Sequence, residues 1–154
     1  MSFHVEKALA EDLPTLREMY LAMLEERQAQ GHNFYATDET ADWMMAHVFE
    51  PAVHDLSDGL FVATSGDELI AALYWCLAPH PFPTRHQWAT GWGMYVVPSW
   101  RRQGVIKALL ERGKQWAIDR RVSRVLDEAI TPEARSAVMQ AGFVVSTDVV
   151  ILEV

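Results

Sequence analysis

Cysteine is nearly absent from this sequence, and long apolar runs are absent altogether. The single Cys76 cannot form an internal disulfide. The apolar runs are short and interrupted by charge, so no transmembrane helix and no membrane partner are expected. The first residues lack the basic stretch and the long apolar stretch of a secretory signal. These absences predict a cytoplasmic protein, and a composition of 50% hydrophobic and 22% charged residues predicts a packed core.

Basic residues are fewer than acidic residues. Thirteen Lys and Arg against 21 Asp and Glu give a net charge of −8, which disfavours a nucleic-acid partner. Residues 101–121 are the exception, because they hold seven basic and two acidic residues and therefore carry a net charge of +5. A local positive zone on an acidic protein predicts a small polyanionic ligand. A solvated basic helix face would have the same composition.

The length and the absence of repeats or linkers predict one domain over residues 1–154. Hydrophobic spacing predicts helices at 13–30, 39–53, 102–119 and 132–140, and strands at 3–9, 60–64, 69–77, 88–97, 124–130, 143–146 and 149–154. This order, β-α-α-β-β-β-α-β-α-β-β, predicts an α+β fold. We expect a mixed, mostly antiparallel twisted sheet of about six to seven strands with about four helices, because one β-α-β crossover implies a parallel pair.

A few side chains are predicted to have particular positions. Glycines inside a strand, here Gly91 and Gly93, indicate a bulge or a close backbone approach. Helical spacing places four residues on one face of the second helix; they are Trp43, Met44, His47 and Val48. Trp75, Trp116 and Cys76 are expected in the core.

The junction from Pro98 to Leu110 is the strongest functional signal. It joins a strand to a helix, and Gly104 lets the backbone approach a ligand closely. The unpaired N–H groups and the positive dipole end of a helix favour an oxyanion, to which Arg101 and Arg102 can add charge-assisted contacts. A Walker loop is not indicated, because no second glycine stands upstream of Lys107.

Residues 96–110 resemble the acetyl-CoA signature of the GCN5-related N-acetyltransferase (GNAT) family, Arg/Gln-x-x-Gly-x-Gly/Ala at a strand–helix junction. Arg101 and Gly104 match this pattern, whereas Ile106 replaces its last small residue. A second family pattern, Asn-x-x-Ala-x-x-Leu-Tyr-x-x-x-Gly-Phe, is matched at the expected distance by three residues: Ala134, Gly142 and Phe143. Thr131 stands at its Asn position and Val138 at its Tyr position. The predicted order of elements is also similar to that of the family.

The resemblance implies an acetyl-CoA-dependent N-acetyltransferase in which a primary amine attacks the acetyl group directly. It places the pyrophosphate of acetyl-CoA on the amides at the helix start and the pantetheine along the preceding strand, which splays from the next one. The cofactor-binding residues that it implies are Met94, Tyr95, Val96, Arg101, Arg102, Gln103, Gly104, Val105, Ile106 and Lys107. The β-branched Ile106 keeps its N–H but narrows the space for pantetheine.

The catalytic residues are less well indicated. Many relatives have a tyrosine at the Val138 position that protonates the departing thiolate, which valine cannot do. The thiolate then leaves unaided, or Tyr95 or Ser136 replaces that donor. For the base we expect Glu128, with His86 as a second candidate; Asp127 points to the opposite face if the strand is regular. The histidines form no tight ligand set, so no metal is expected.

The acceptor is a small-molecule or peptide amine of unidentified structure. A group of acidic residues at the end of the first helix and in the following loop favours a cationic amine; they are Glu25, Glu26, Asp38 and Glu39. Dimers are common in the family, and pairing of the final strands between chains would give a homodimer. The alternative is a catalytically degenerate domain that binds acyl-CoA as a sensor or interaction module, for which Ile106 and Val138 are the motivation.

Overall fold

The computed structural model describes residues 2–32, 35–55, 57–78, 87–127 and 132–144, without the side chains of Trp92, Pro132, Glu133 and Ala134. Its strands are β1 (His4–Lys7), β2 (Gly59–Ser65), β3 (Glu68–Ala78), β4 (Gln87–Val96) and β5 (Val122–Leu126). Its α-helices are α1 (Leu13–Ala29), α2 (Asp38–Met44), α3 (Glu50–His54), α4 (Val105–Asp119) and α5 (Pro132–Gln140). The order of these elements confirms the predicted α+β class.

The five strands form one sheet in the order β1-β2-β3-β4-β5. The first three pairings are antiparallel, and β4 pairs with β5 in parallel. This parallel pair follows from the crossover through α4, as predicted. Most of the two strands predicted at 143–146 and 149–154 lies outside the described residues, as do residues 79–86 before β4.

Helices cover both faces of the sheet, and alternation along the strands decides which side chain meets which helix. Leu60 and Val62 face α1, α2 and α3, whereas Phe61 and Ala63 face α4. On the α4 face, Trp75 is fully buried beneath the helix. The helix residues buried in that layer are Val105, Leu109, Leu110, Gly113, Trp116 and Ala117. Trp75 and Trp116 are thus core residues as predicted, while Cys76 is only partly buried.

The second predicted helix is three helical pieces in succession, because a π-helical turn at Met45–Phe49 separates α2 from α3. Met44 is buried, but Trp43 is 52% exposed and stacks on the exposed His47 with 4.9 Å between ring centroids. The prediction of one shared face was therefore wrong. The π turn changes the helical phase, so that the buried face continues through Phe49 and Ala52.

Helix α4 begins at Val105, three residues later than predicted. Arg102 has φ 65° and Gly104 has φ 83°, and left-handed residues cannot continue a right-handed helix. Strand β5 begins at Val122, two residues earlier than predicted, and its described part ends at Leu126. The helix predicted at 132–140 is confirmed by α5.

Candidate functional site

A cleft of about 730 Å³ opens beside the end of β4. The end of α1 forms one wall, and α5 with Asp127 forms the opposite side. The floor is the last part of β4 and the junction into α4. The lining residues are Met23, Glu26, Arg27, Gln30, Met94, Tyr95, Val96, Trp100, Arg101, Arg102, Gly104, Val105, Ile106, Lys107, Asp127, Ser136, Ala137, Val138 and Gln140.

The strand β4 changes partner and shape along its length. Its parallel pairing with β5, as far as the structure describes it, ends at Thr90 opposite Leu126. Beyond that point β4 continues against β3, but its register shifts so that Tyr74 pairs with Gly93 and Trp75 with Gly91. The residue between those glycines is therefore a β-bulge. The cleft begins where the β5 pairing stops, which leaves the edge of residues 94–96 facing it.

Gly93 shows why this bulge requires glycine. Its φ is 139°, a backbone conformation that other residues rarely adopt. The side chain of Met23 packs against Gly93, since a Cβ built on Gly93 would lie 3.1 Å from the Met23 sulfur. The bulge thus brings β4 close to Met23 of α1, which also lines the cleft.

The junction from β4 to α4 is a tight turn that lines the cleft. The indole of Trp100 anchors it, because this ring is buried and meets Phe3 edge to face at 6.3 Å. Gln103 donates to the Ser99 carbonyl at 2.8 Å and closes the turn. Gly104 occupies the position before the helix and has no side chain to cap it. The first intrahelical bond is donated by Ala108, so the N–H groups of residues 105–107 precede the hydrogen-bonded ladder.

Arg101 is held inside the protein's own bonding network. Its Nη2 lies 2.6 Å and 2.8 Å from the two oxygens of Glu26, and its Nε donates to the Val96 carbonyl at 3.0 Å. The Tyr95 hydroxyl donates to the same Glu26 carboxylate at 3.3 Å. Burial, and then the Glu26 charge, raise the pKa of the Tyr95 phenol, while Arg101 acts in the opposite direction. The side chains of Arg102 and Lys107 are exposed on the cleft.

Helix α5 supplies the wall opposite α1. Val138 is 8% exposed and packs with the α4-side core. Its carbonyl accepts the N–H of Phe143 at 3.0 Å, after Gly142 has ended the helix. Ser136 is exposed and also borders the cleft. Ile106 is partly buried against the same core and lines the cleft, so its side chain is packed instead of projecting freely.

Asp127 follows β5 directly and borders the cleft where β4 and β5 cease to pair. Its Oδ2 accepts a hydrogen bond from the indole Nε1 of the buried Trp75 at 2.7 Å. A methyl group added at Gly91 would overlap this carboxylate. Glycine at position 91 therefore makes room for the Asp127 side chain.

The sequence model of the acetyltransferase (GNAT) family matches residues 13–143. This match covers most of the chain. The chain belongs to the GNAT family. No curated protein sequence matches it significantly.

Solved structures share the fold over nearly the whole chain. A transcriptional regulator from Bacillus halodurans C-125 is 19% identical with a TM-score of 0.77, over 99% of this chain and 100% of that one. A predicted acetyltransferase from Clostridium acetobutylicum with acetyl-CoA is 17% identical with a TM-score of 0.76, over 99% and 96%. An aminoglycoside acetyltransferase from an uncultured soil metagenomic sample, in complex with sisomicin, is 18% identical with a TM-score of 0.70, over 99% and 95%. At these identities, the likeness shows that the GNAT chain has their fold.

The structure brings nine of the ten predicted cofactor residues of this GNAT chain to one cleft. The exception is Gln103, whose amide faces back to Ser99. The catalytic candidate Tyr95 lines the cleft, while Glu128 and His86 lie outside the described residues. Sequence reasoning set Asp127 aside as pointing away, yet it borders the cleft. The signal for it was Gly91, whose missing side chain leaves space for the carboxylate.

Of the four acidic residues expected near the acceptor, Glu26 borders the cleft. Asp38 instead pairs with Arg17 at 2.8 Å. Within the described ranges, no three His, Cys, Asp or Glu side chains come together as ligands for a metal. None of the helices that the structure describes is both long enough and apolar enough to cross a membrane.

Proposed function

We propose that this GNAT protein is an acetyl-CoA-dependent N-acetyltransferase that transfers the acetyl group directly to a primary amine. The observation that carries the proposal is the shape of the cleft. It joins the edge of β4 at residues 94–96 to the N-terminus of α4 without interruption. An elongated ligand with an anionic end and an amide-bearing arm matches both halves of such a cleft.

The fit of the cosubstrate rests on backbone groups more than on side chains. Its pyrophosphate would bind the N–H groups of residues 105–107, with Arg102 and Lys107 adding charge. Its pantetheine amides would pair with β4 at 94–96. Arg101 is engaged by Glu26 and Val96, and its role in the proposal is to hold the turn. Ile106 contributes its backbone N–H, which its packed side chain leaves in place.

The chemistry requires a neutral amine and an outlet for a proton. Glu128 remains the residue proposed from the sequence as the base that takes it. Tyr95 is the proposed proton donor to the departing thiolate, since a phenol of ordinary pKa, about 10, is protonated at neutral pH, and burial raises this pKa further. Val138 has no proton to give. The pKa of a CoA thiol is close to the cysteine reference value of about 8.5, so its thiolate can leave without being protonated.

A cationic amine is the acceptor class that we propose. The net charge of −8 attracts cations to the surface. A structural neighbour is an aminoglycoside acetyltransferase in complex with sisomicin, so aminoglycosides belong among the amines to be tested with polyamines and lysine peptides. Homodimer formation stays a prediction.

The alternative proposal is a domain that binds acyl-CoA without transferring it. The buried Val138 in place of a tyrosine favours it. A structural neighbour is described as a transcriptional regulator, which is the kind of role that a binding domain would serve.

The test is release of free CoA thiol from acetyl-CoA in the presence of spermidine, sisomicin and a lysine tripeptide, together with calorimetry of acetyl-CoA binding. We expect tight binding and turnover with at least one amine. Binding without turnover of any amine would support the alternative. Absence of binding would overturn both proposals.

A further inference from the structure

We propose that Asp127 is the carboxylate that holds the acceptor nitrogen of this enzyme and takes its proton during acetyl transfer. This inference rests on the proposed acetyltransferase function and gives one of its steps a residue. Sequence alternation had favoured Glu128 for that step. The geometry around Asp127 points to it on three independent grounds.

The first ground is position. Asp127 comes directly after the last described β4–β5 pair, Thr90 with Leu126. It therefore lies at the point where two parallel strands cease to be neighbours, inside the cleft and half-buried. On the proposed binding mode, the pantetheine runs along residues 94–96 of β4 towards this point. The thioester end would then come close to the carboxylate.

The second ground is orientation. The indole N–H of Trp75 donates to Oδ2 at 2.7 Å. Trp75 is fully buried and packs against Trp116 and Phe143, with ring centroids 6.5 Å and 6.0 Å away. A donor fixed by packing on several sides holds the carboxylate in one orientation, which is what a group that receives a proton needs.

The third ground is the space provided for the side chain. Gly91 lies against the carboxylate, and any larger residue there would displace it. The β-bulge after Gly91 is a separate feature, because Gly93 has the positive φ. Two elements, β3 through Trp75 and β4 through Gly91, are thus shaped around one acidic side chain.

The lone pair of the amine nitrogen forms a bond with the carbonyl carbon of acetyl-CoA, and the carbon–sulfur bond breaks with its electrons staying on sulfur. Bond formation makes the nitrogen strongly acidic, so an ordinary carboxylate can accept its proton. Asp127 then passes that proton to the thiolate or to solvent. Amine and acetyl-CoA give the acetamide and CoA thiol, and no other reactant is needed.

The test is Asp127→Asn, assayed with spermidine, sisomicin and the lysine tripeptide by thiol release. The amide oxygen can still accept from Trp75, so the fold should be retained, which circular dichroism and the melting temperature check. We expect kcat to fall by about 10²-fold or more, loss of the acidic limb of the pH profile of kcat/KM, and unchanged acetyl-CoA affinity by calorimetry. The matched control is Asp119→Asn, whose carboxylate accepts from Gln115 at the far end of α4.

Two further variants separate a catalytic role from a structural one. Gly91→Ala keeps the charge of Asp127 but displaces the carboxylate, so we expect a similar loss of kcat with unchanged acetyl-CoA affinity. Glu128→Gln tests the competing base. An unchanged pH profile in Asp127→Asn, or loss of the acidic limb in Glu128→Gln alone, would overturn the assignment. Wild-type protein without turnover would instead reject the proposed function itself.

Discussion

Gly113 shows how closely single residues are fitted under α4. It lies in the middle of the helix, where alanine would ordinarily be favoured by roughly 0.5–1 kcal/mol. A Cβ at this position would lie 2.6 Å from the Trp75 ring and 3.0 Å from a methyl group of Leu73. The same indole bonds Asp127, so the packing at Gly113 reaches the cleft through one side chain.

We therefore predict that Gly113→Ala lowers the free energy of unfolding by about 1–2 kcal/mol, because overpacking a core costs about 1–3 kcal/mol and outweighs the gain in helix propensity. Urea unfolding measures it. Lys114→Ala, at the exposed neighbouring position, is the control and should change stability by at most about 0.5 kcal/mol. A Gly113→Ala variant as stable as the wild type would mean that Trp75 can move.

The contacts of some single residues could not be predicted from the sequence. Gly91 and Gly93 were correctly interpreted as signs of a close approach and a bulge. The neighbours that use them, Asp127 and Met23, come from distant elements, and no local pattern names them. Trp43 was placed on one face with Met44, and hydrophobic spacing does not show that only Met44 of these two meets the core.

The junction between β4 and α4 carries two charged side chains beside the cleft. Two adjacent arginines have different surroundings there. Arg101 bridges Glu26 on α1 and the Val96 carbonyl on β4, whereas Arg102 is exposed on the cleft with φ 65°. The sequence predicted an anion site here but could not distinguish the roles of the two arginines. The contact of Arg101 with Glu26 depends on where α1 ends.

We predict that Arg101→Ala lowers stability by roughly 1 kcal/mol, since the ion pair is partly exposed and the bond to Val96 adds a modest amount. Arg102→Ala should leave stability unchanged but weaken CoA binding several-fold, and the double variant should flatten the salt dependence of binding. Urea unfolding and calorimetry at two salt concentrations measure these effects. A larger loss of affinity from Arg101→Ala than from Arg102→Ala would contradict this division of roles.

Much of the order of elements was accessible from the sequence. Strands β2 and β3 and helices α1 and α5 were predicted close to their observed bounds, because turn residues and helix ends leave local signals. The start of α4 was predicted too early, since Arg102 gives no hint of a left-handed conformation. The cleft forms because β4 continues beyond the last residue that pairs with β5, and local sequence patterns do not encode where that pairing ends.

At the scale of the whole molecule, several ionisable side chains have shifted pKa values. Burial is the first cause of the raised pKa values of Tyr20, Tyr74 and Tyr95. The charge of Asp58, which accepts the Tyr74 hydroxyl at 3.0 Å, adds to the shift there. Burial lowers the pKa of Lys7. The folded protein therefore favours neutral phenols more strongly than the unfolded chain does.

We predict that stability falls as the pH rises above about 10, the unfolded value for tyrosine. A raised phenol pKa contributes stability that is present below that pH and is lost as the folded phenols ionise. Lys7 acts in the opposite direction, but three phenols outnumber one ammonium. Urea unfolding at pH 9 and pH 11 measures the fall, and Tyr74→Phe should make it shallower. Equal stability at both pH values would show that the phenols are not desolvated.

The contacts of Lys7 have a consequence for the chain's own amines. Its ammonium group donates to the carbonyls of Ala52, Asp55 and Asp58 at 3.1, 2.9 and 2.6 Å, so each of its three hydrogens is engaged. An ammonium group held in this way has no lone pair with which to attack a thioester. The other two lysines of the chain, Lys107 and Lys114, are both exposed. If acetyl-CoA modifies lysines of the protein itself, the modification will fall on α4 and spare the lysine that ties β1 to the loop before β2.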